Sequence, residues 1–360
     1  MTILDRYITK EFLRLFALLV GIFTSLFMVV EFFERIRMFL SNNALLYQIL
    51  SYFFFMIPMM VSQTLPASVL LASLLTFSSM SRNAEITAMK SNGISIYRMS
   101  MPVLIASVLL CIIAFLNSEF VMPYSNQRAD HIVYVDVQKR EPLGTFKQNQ
   151  IWYKGINGIY NFKMFDPKTN VLQGITVNYL DKDFKLTMRI DAEKAEWKND
   201  NWLFSNLLIT RFTGGEFPLL EWVSSKIVDL PERPSDFNIV QQETEKMGFV
   251  ELRKYVKKLQ AEGYDATRYL VDMHGKISFT FVSVILAVIG IPFSLMKTER
   301  SGGIMQSISV GIIIGFSYWI VHAFAMSLGR SGTTPPIISA WFANIIFCVT
   351  SAVMFYRVKT

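Results

Sequence analysis

Charge is scarce in this chain. Of its 360 residues, 18% are Asp, Glu, Lys or Arg and 52% are hydrophobic, whereas a soluble globular domain carries about 25% charged residues. That shortage excludes a large soluble enzyme and points to a membrane protein. Cysteine is nearly missing: Cys111 and Cys348 both lie in apolar runs, so no disulfide is expected. His131, His274 and His322 are far apart and show neither HxxxH nor HExxH spacing, so neither a metal nor another cofactor is expected. There is no GxxxxGK[ST] segment to cradle a nucleotide and no GxSxG nucleophile elbow. Acidic residues are absent from the middle of the apolar runs, which disfavours a proton relay across a bilayer.

What is present is hydrophobic length. The runs Phe12–Val30, Tyr52–Phe77, Pro102–Phe120, Phe279–Leu295, Ile304–Leu328 and Pro336–Tyr356 are each long enough to be read as a membrane span. The first helical pattern continues through Met38, and the fourth begins as early as Tyr269. The first run comes after Arg6, Lys10 and Arg14 but ends in charged residues rather than a small-residue cleavage site, so it is read as a retained span. A formal charge of +7 is compatible with nucleic-acid binding. The basic residues, however, sort by span end, and no nucleic acid is expected. Arg6, Lys10, Arg14, Arg82, Lys90, Arg98, Lys297, Arg300, Arg357 and Lys359 fall on one side; the short connections of the other hold Arg35, Arg37 and Arg330. The positive-inside rule then places both termini in the cytoplasm. Three spans precede the polar middle of the chain, so that middle is expected outside the cytoplasm.

The middle reads as antiparallel β. Ile151–Tyr153, Gly158–Phe165, Leu172–Leu180, Phe184–Ile190, Ala192–Trp197, Asn201–Phe212 and Leu219–Val228 are rich in aromatic and β-branched residues. Asp166-Pro167, Asp181-Lys182-Asp183, Asn199-Asp200-Asn201 and Gly214-Gly215 separate them as turns. Short strands at this spacing suggest a sandwich or jelly roll. A basic amphipathic helix, Phe249–Ala261, comes next, with Gly263 as its stop. The expected fold is therefore an α-helical membrane protein with six transmembrane helices and an inserted extracytoplasmic antiparallel β-jelly-roll domain. Residues 1–123 hold spans one to three, 124–268 the β domain and its helix, and 269–360 spans four to six.

Four places are candidates for function. The polar island Ser81–Gly93 reads as a short helix at the membrane surface, opened by Asn83 and closed by Asn92-Gly93. Arg82 and Glu85 stand one turn apart, and Ile86 and Met89 share an apolar face. It is either a solvated turn or a surface that offers Glu85 and Ile86 to a partner. Glu31, Glu34, Arg35 and Arg37 extend the first span, with Arg128 and His131 beyond the third. They suit either a lipid phosphate or ordinary interfacial anchoring. Leu65, Phe316, Tyr318 and Trp319 are candidates for an acyl-chain cavity as well as for packing. Gly311-Ile-Ile-Ile-Gly315 permits close helix approach, within the chain or between subunits.

Over nearly its full length the chain resembles the LptF/LptG (YjgP/YjgQ) permeases of lipopolysaccharide export. Leu4-Asp5-Arg6-Tyr7 opens it as in the LptG branch, and Arg82–Gly93 resembles the family's [E/R]-x-E-[IL]-x-x-M-x-[AS]-x-G segment. Phe249-Val-Glu-Leu-Arg, Ala266–Lys276 and Gly290-Ile-Pro-Phe resemble the helix and membrane re-entry that the family carries after its β domain. The resemblance implies a non-catalytic permease of the inner membrane, paired with a paralogous LptF-type permease. It implies an LptB-type ATPase dimer docked on a coupling helix at 82–93, and an LptC-type bridge that receives the lipopolysaccharide. It makes Arg82, Glu85, Ile86 and Met89 the coupling residues. Arg35, Arg37, Leu65, Arg128, His131, Phe316 and Tyr318 become substrate contacts. The chain departs from the family pattern at Glu31, where LptG relatives can carry lysine, and in the spacing of basic residues after Pro123. Two other classes fit the composition: a membrane-anchored periplasmic lipid-binding protein and a secondary lipid carrier.

Overall fold

The computed structural model describes residues 2–139, 144–147, 150–154, 158–166, 169–181, 185–198, 200–212, 217–234, 237, 247–261, 265–296 and 304–357. The expected stop at Gly263, the Gly214-Gly215 turn, and Lys297, Arg300 and Lys359 lie outside them. The chain divides into two compact units. One comprises residues 1–132, 248–256 and 265–360; the other comprises 133–247 and 257–264.

The first unit is helical. Helices α1 (Ile3–Ser41), α2 (Leu46–Arg82), α3 (Glu85–Ser91), α4 (Ile96–Leu116) and α5 (Met122–His131) are followed, after the sheet, by α6 (Phe249–Ala261), α7 (Thr267–Met296), α8 (Ile304–Arg330) and α9 (Pro336–Arg357). Among the described residues, six stretches are long and apolar enough to cross a membrane. The third was expected to end at Phe120, yet the helix runs from Ile96 to Val137, with π-helical turns at Asn117–Val121 and Ile132–Val137. Pro123 stands in the first turn of α5, directly after the wider π turn. There its missing N–H is accommodated without ending the helix. The helical unit therefore extends past residue 123, to residue 132.

Its core forms where α1, α2, α4, α7, α8 and α9 meet, around Phe12, Val69, Leu74, Phe77, Val103 and Ala287. Close approach rests on small residues. A Cβ on Gly311 would meet Leu74 Cδ1 at 2.9 Å and the side chain of Leu71, so this end of the GxxxG pair packs inside the chain, against α2. A buried chain of hydrogen bonds ties three helices: Tyr318 Oη donates to Asn344 Oδ1 at 2.6 Å, and Asn344 Nδ2 donates to the Ser278 carbonyl at 2.8 Å. Asp265 accepts from Thr267 N at 2.9 Å just before α7. The Thr267 side chain and backbone N–H hold its carboxyl below the ordinary aspartate range.

Helix α6 is anchored at its start by Glu119 of the π turn. Phe249 N donates to Glu119 Oε2 at 2.5 Å and Val250 N to Oε1 at 3.0 Å. The carboxylate thus satisfies two otherwise unpaired helix donors and places negative charge at the positive helix end. A Cβ on Gly248 would lie 3.0 Å from Glu119 Oε1, so glycine leaves room for the contact. Replacing Glu119 by Ala should cost about 1–2 kcal/mol locally. Hydrogen exchange in the first turn of α6 should accelerate about tenfold, while the spans stay protected. Unchanged exchange there would show that packing alone seats α6.

Among the described residues, the second unit holds one antiparallel sheet of eight strands: β1 (Gly144–Lys147), β2 (Gln150–Lys154), β3 (Gly158–Phe162), β4 (Met164–Asp166), β5 (Val171–Leu180), β6 (Leu186–Lys198), β7 (Asn201–Arg211) and β8 (Leu219–Val228). The order is β1-β2-β3-β5-β6-β7-β8, with β4 paired to β5. Neighbours along the path are in sequence order, so the antiparallel domain is built as a meander. The separate strands expected at Phe184–Ile190 and Ala192–Trp197 are one strand, β6. One face packs a core that includes Tyr160, Phe162, Val177, Trp202, Phe204 and Phe237.

The alternation of buried residues breaks along one line. Buried positions skip from Leu172 to Ile175 in β5, from Ala192 to Ala195 in β6 and from Phe204 to Leu207 in β7. Between them lie Gly174 (φ +59°), Glu193 and Asn206 (φ +54°), opposite one another by register. Asn206 Nδ2 donates to Glu193 Oε2 at 2.6 Å. Period-two patterning would turn half the apolar residues outward past that line. The change of phase across all three strands keeps one continuous apolar face.

Candidate functional site

The candidate residues of the helical unit fall into three places. The first is the connection between α2 and α4. Helix α2 ends at Arg82, and the chain then turns through Ala84 with φ +62°. This break corrects the expectation of one helix over 82–93 capped by Asn83: α3 spans Glu85–Ser91, and no side-chain hydrogen bond caps it at Ala84. Arg82 belongs to the last turn of α2, not to the same helix as Glu85. The other end is as expected. Gly93 has φ +78°, Gly93 N donates to Lys90 O at 2.9 Å and Ile94 N to Met89 O at 3.0 Å, the paired bonds of a Schellman stop.

Ile86 is 3% exposed and belongs to the core of the helical unit, with Met89 packed against it. The expectation that Ile86 is offered to a partner is therefore corrected. An apolar side chain at a water-facing surface gains most by covering other apolar surface, and here it seats α3 on the spans. What α3 leaves outward is polar or small: Thr87, Ala88 and Lys90 are exposed. Glu85 is half-buried, accepts from Tyr7 Oη at 3.1 Å and lies 3.4 Å from Asn83 Nδ2. Nearby, Arg98 at the start of α4 pairs with Asp5 at the start of α1, at 2.9 Å.

The second place is the opposite end of α1. Arg35 Nε pairs with the buried Glu31 at 3.0 Å, and Tyr52 Oη donates to the same carboxylate oxygen at 2.7 Å. The Arg35 guanidinium lies 6.0 Å from the Tyr52 ring centroid. One turn further along α2, Phe55 meets Tyr124 of α5, with ring centroids 6.4 Å apart. Arg128 lies 5.7 Å from the Tyr124 ring. Arg35 thus lies over an aromatic ring of α2, and Arg128 over a ring of its own helix that in turn meets α2. Arg37 and His131 are exposed. Sequence reasoning missed Tyr52, whose signal was its position at the start of the second span.

The third set does not assemble. Leu65 is 5% exposed and Tyr318 1%, both inside the helical core, while Phe316 is 67% exposed. The expectation of a common acyl-chain cavity is corrected for Leu65 and Tyr318: tight helix packing takes their surface, and Tyr318 is held through its hydroxyl. Among the described residues, no group of three His, Cys, Asp or Glu side chains gathers to hold a metal.

Among the described residues, six apolar helices, a short helix between the second and third, and an inserted antiparallel sheet define a multi-pass membrane protein. A family profile, lipopolysaccharide export system permease LptF/LptG, matches residues 6–357. The chain belongs to that family. It is 22% identical, over 369 residues, to the lipopolysaccharide export system permease protein LptG of Escherichia coli strain K12, covering 99% of this chain and 98% of the relative. The LptG protein of Escherichia coli O6:H1 strain CFT073 matches to the same extent.

Proposed function

We propose that this chain is a transmembrane subunit of an ATP-driven exporter. It extracts lipopolysaccharide from the outer leaflet of the inner membrane and passes it to a periplasmic bridge. An LptB-type ATPase dimer hydrolyses the nucleotide, an LptF-type permease completes the cavity, and an LptC-type protein receives the lipid. Both termini and α3 face the cytoplasm, and the sheet unit is periplasmic. The chain itself carries no catalytic residue. Arg35 and Arg128, with Arg37 and His131, are the groups proposed to meet the lipid's phosphates.

The observation that carries this reading is α3. It is a seven-residue helix, seated by Ile86 and Met89, with Glu85 at its start, on the span ends rich in Lys and Arg. That is a rigid acidic handle on a chain with no P-loop. The need for an engine is physical. An amphiphile loses about 0.8 kcal/mol of apolar burial for each methylene that leaves the bilayer. Nucleotide-driven closure of a two-state cavity, then transfer to an apolar receiving surface, offsets that loss.

Purification in mild detergent, with mass spectrometry of the associated chains, tests the reading. An ATPase and a second six-span permease are expected. A chain that purifies alone and whose sheet unit binds lipid unaided would indicate a membrane-anchored lipid-binding protein. Lipid movement that tracks an ion gradient without nucleotide would indicate a secondary carrier.

A further inference from the structure

The Leu4-Asp5-Arg6-Tyr7 stretch has a structural account of its own. Leu4 packs on the core of the helical unit. Asp5 closes a capping box with Thr2 and pairs with Arg98 of α4 at 2.9 Å. Tyr7, just beyond the first turn, reaches a residue 78 positions away: its hydroxyl donates to Glu85 Oε2 at 3.1 Å. The first turns of α1 are therefore tied to both α4 and α3.

The chemistry of the Glu85 contacts is specific. One carboxylate oxygen meets the Tyr7 hydroxyl; the other lies 3.4 Å from the Asn83 amide. Both groups are neutral, and among the described residues no cation pairs with Glu85. An arginine in Tyr7's place would compensate the charge and compete with a cationic partner. A neutral hydroxyl directs the carboxylate and leaves its charge available. Both donors to the Glu85 carboxylate, Tyr7 and Asn83, lie outside α3.

We propose that Tyr7 is the positioning residue of Glu85. Its hydroxyl holds the carboxylate in the direction from which a cationic side chain of the docked ATPase approaches. Through the same bond, force on α3 is delivered to α1, the helix whose far end carries Glu31 and Arg35. This rests on the docking role of Glu85 proposed above.

The test is a double-mutant cycle on the full-length permease complex, using the ATPase that co-purifies with the unaltered protein. Tyr7→Phe removes only the hydroxyl. It is expected to weaken ATPase association about two- to tenfold, the range of one hydrogen bond, with an unchanged thermal midpoint. The salt dependence of association should also flatten, because a mispositioned charge contributes less to the encounter. In a Glu85→Gln background the same substitution should add nothing. Equal weakening by Tyr7→Phe in both backgrounds, or no effect where Glu85→Gln alone weakens association, would overturn the positioning role. If Glu85→Gln leaves association intact, the docking reading falls, and this proposal with it.

Discussion

Alanine at position 85 is expected to release the proposed ATPase partner from an otherwise folded, inserted permease. Glu85 lies at the first position of α3 and is half-buried, so its removal breaks only the Tyr7 bond and the longer approach of Asn83. Internal stability should change by about 1 kcal/mol or less. The cost to docking is larger, because an interfacial arginine or lysine would lose its partner while desolvated. Truncating one member of such a pair costs about 2–5 kcal/mol, and the lower bound is already roughly 30-fold in affinity. ATPase recovery and nucleotide-dependent lipid release should fall together, with an unchanged thermal midpoint. Ile86→Ala provides the contrast: it removes a buried side chain and should lower the midpoint, because it unseats α3. Unaltered ATPase recovery from the Glu85→Ala protein would remove α3 from the coupling role.

Trp202→Ala is expected to melt the sheet unit while sparing the helical one. Trp202 is fully buried, and its indole N–H donates to the Glu232 carbonyl at 2.8 Å. Its ring meets Trp197 and Phe237 at centroid distances of 5.2 and 5.8 Å. Deleting it leaves a cavity and an unpaired carbonyl, at about 3–5 kcal/mol. That is a large fraction of the roughly 5–15 kcal/mol by which domains are typically stable. Exchange of amides in β5, β6 and β7 should rise by orders of magnitude, with α2 and α7 still protected. Lipid export should fail, yet the ATPase should still co-purify. Loss of protection in the spans as well would show that the two units unfold as one.

The spans were legible because membrane insertion is read locally: about twenty apolar residues suffice, whatever they pack against. Their ends were less legible. The third span read as ending at Phe120, but a π turn there carries the helix on to Val137. The sheet was legible where residues alternate. At Asp191 a charged residue between two apolar stretches looks like a break between two strands, and β6 passes through it unbroken. The GxxxG spacing gave no direction; Leu71 and Leu74 show that Gly311 faces α2.

The helix at the centre of the proposed function divides in the same way. Sequence alone provided a polar island between two spans, its glycine stop, its glutamate and a family resemblance. It could not say which way that helix faces. Ile86 and Met89 announce an apolar face, and an apolar face suits a partner subunit as well as the chain's own core. Tertiary structure decided for the core, and left Glu85, the proposed handle, half-buried. It also supplied Tyr7, 78 residues away. The reason is physical: a periodic pattern records that one face must leave water, whereas the surface that covers it depends on which distant segments come to lie beside it.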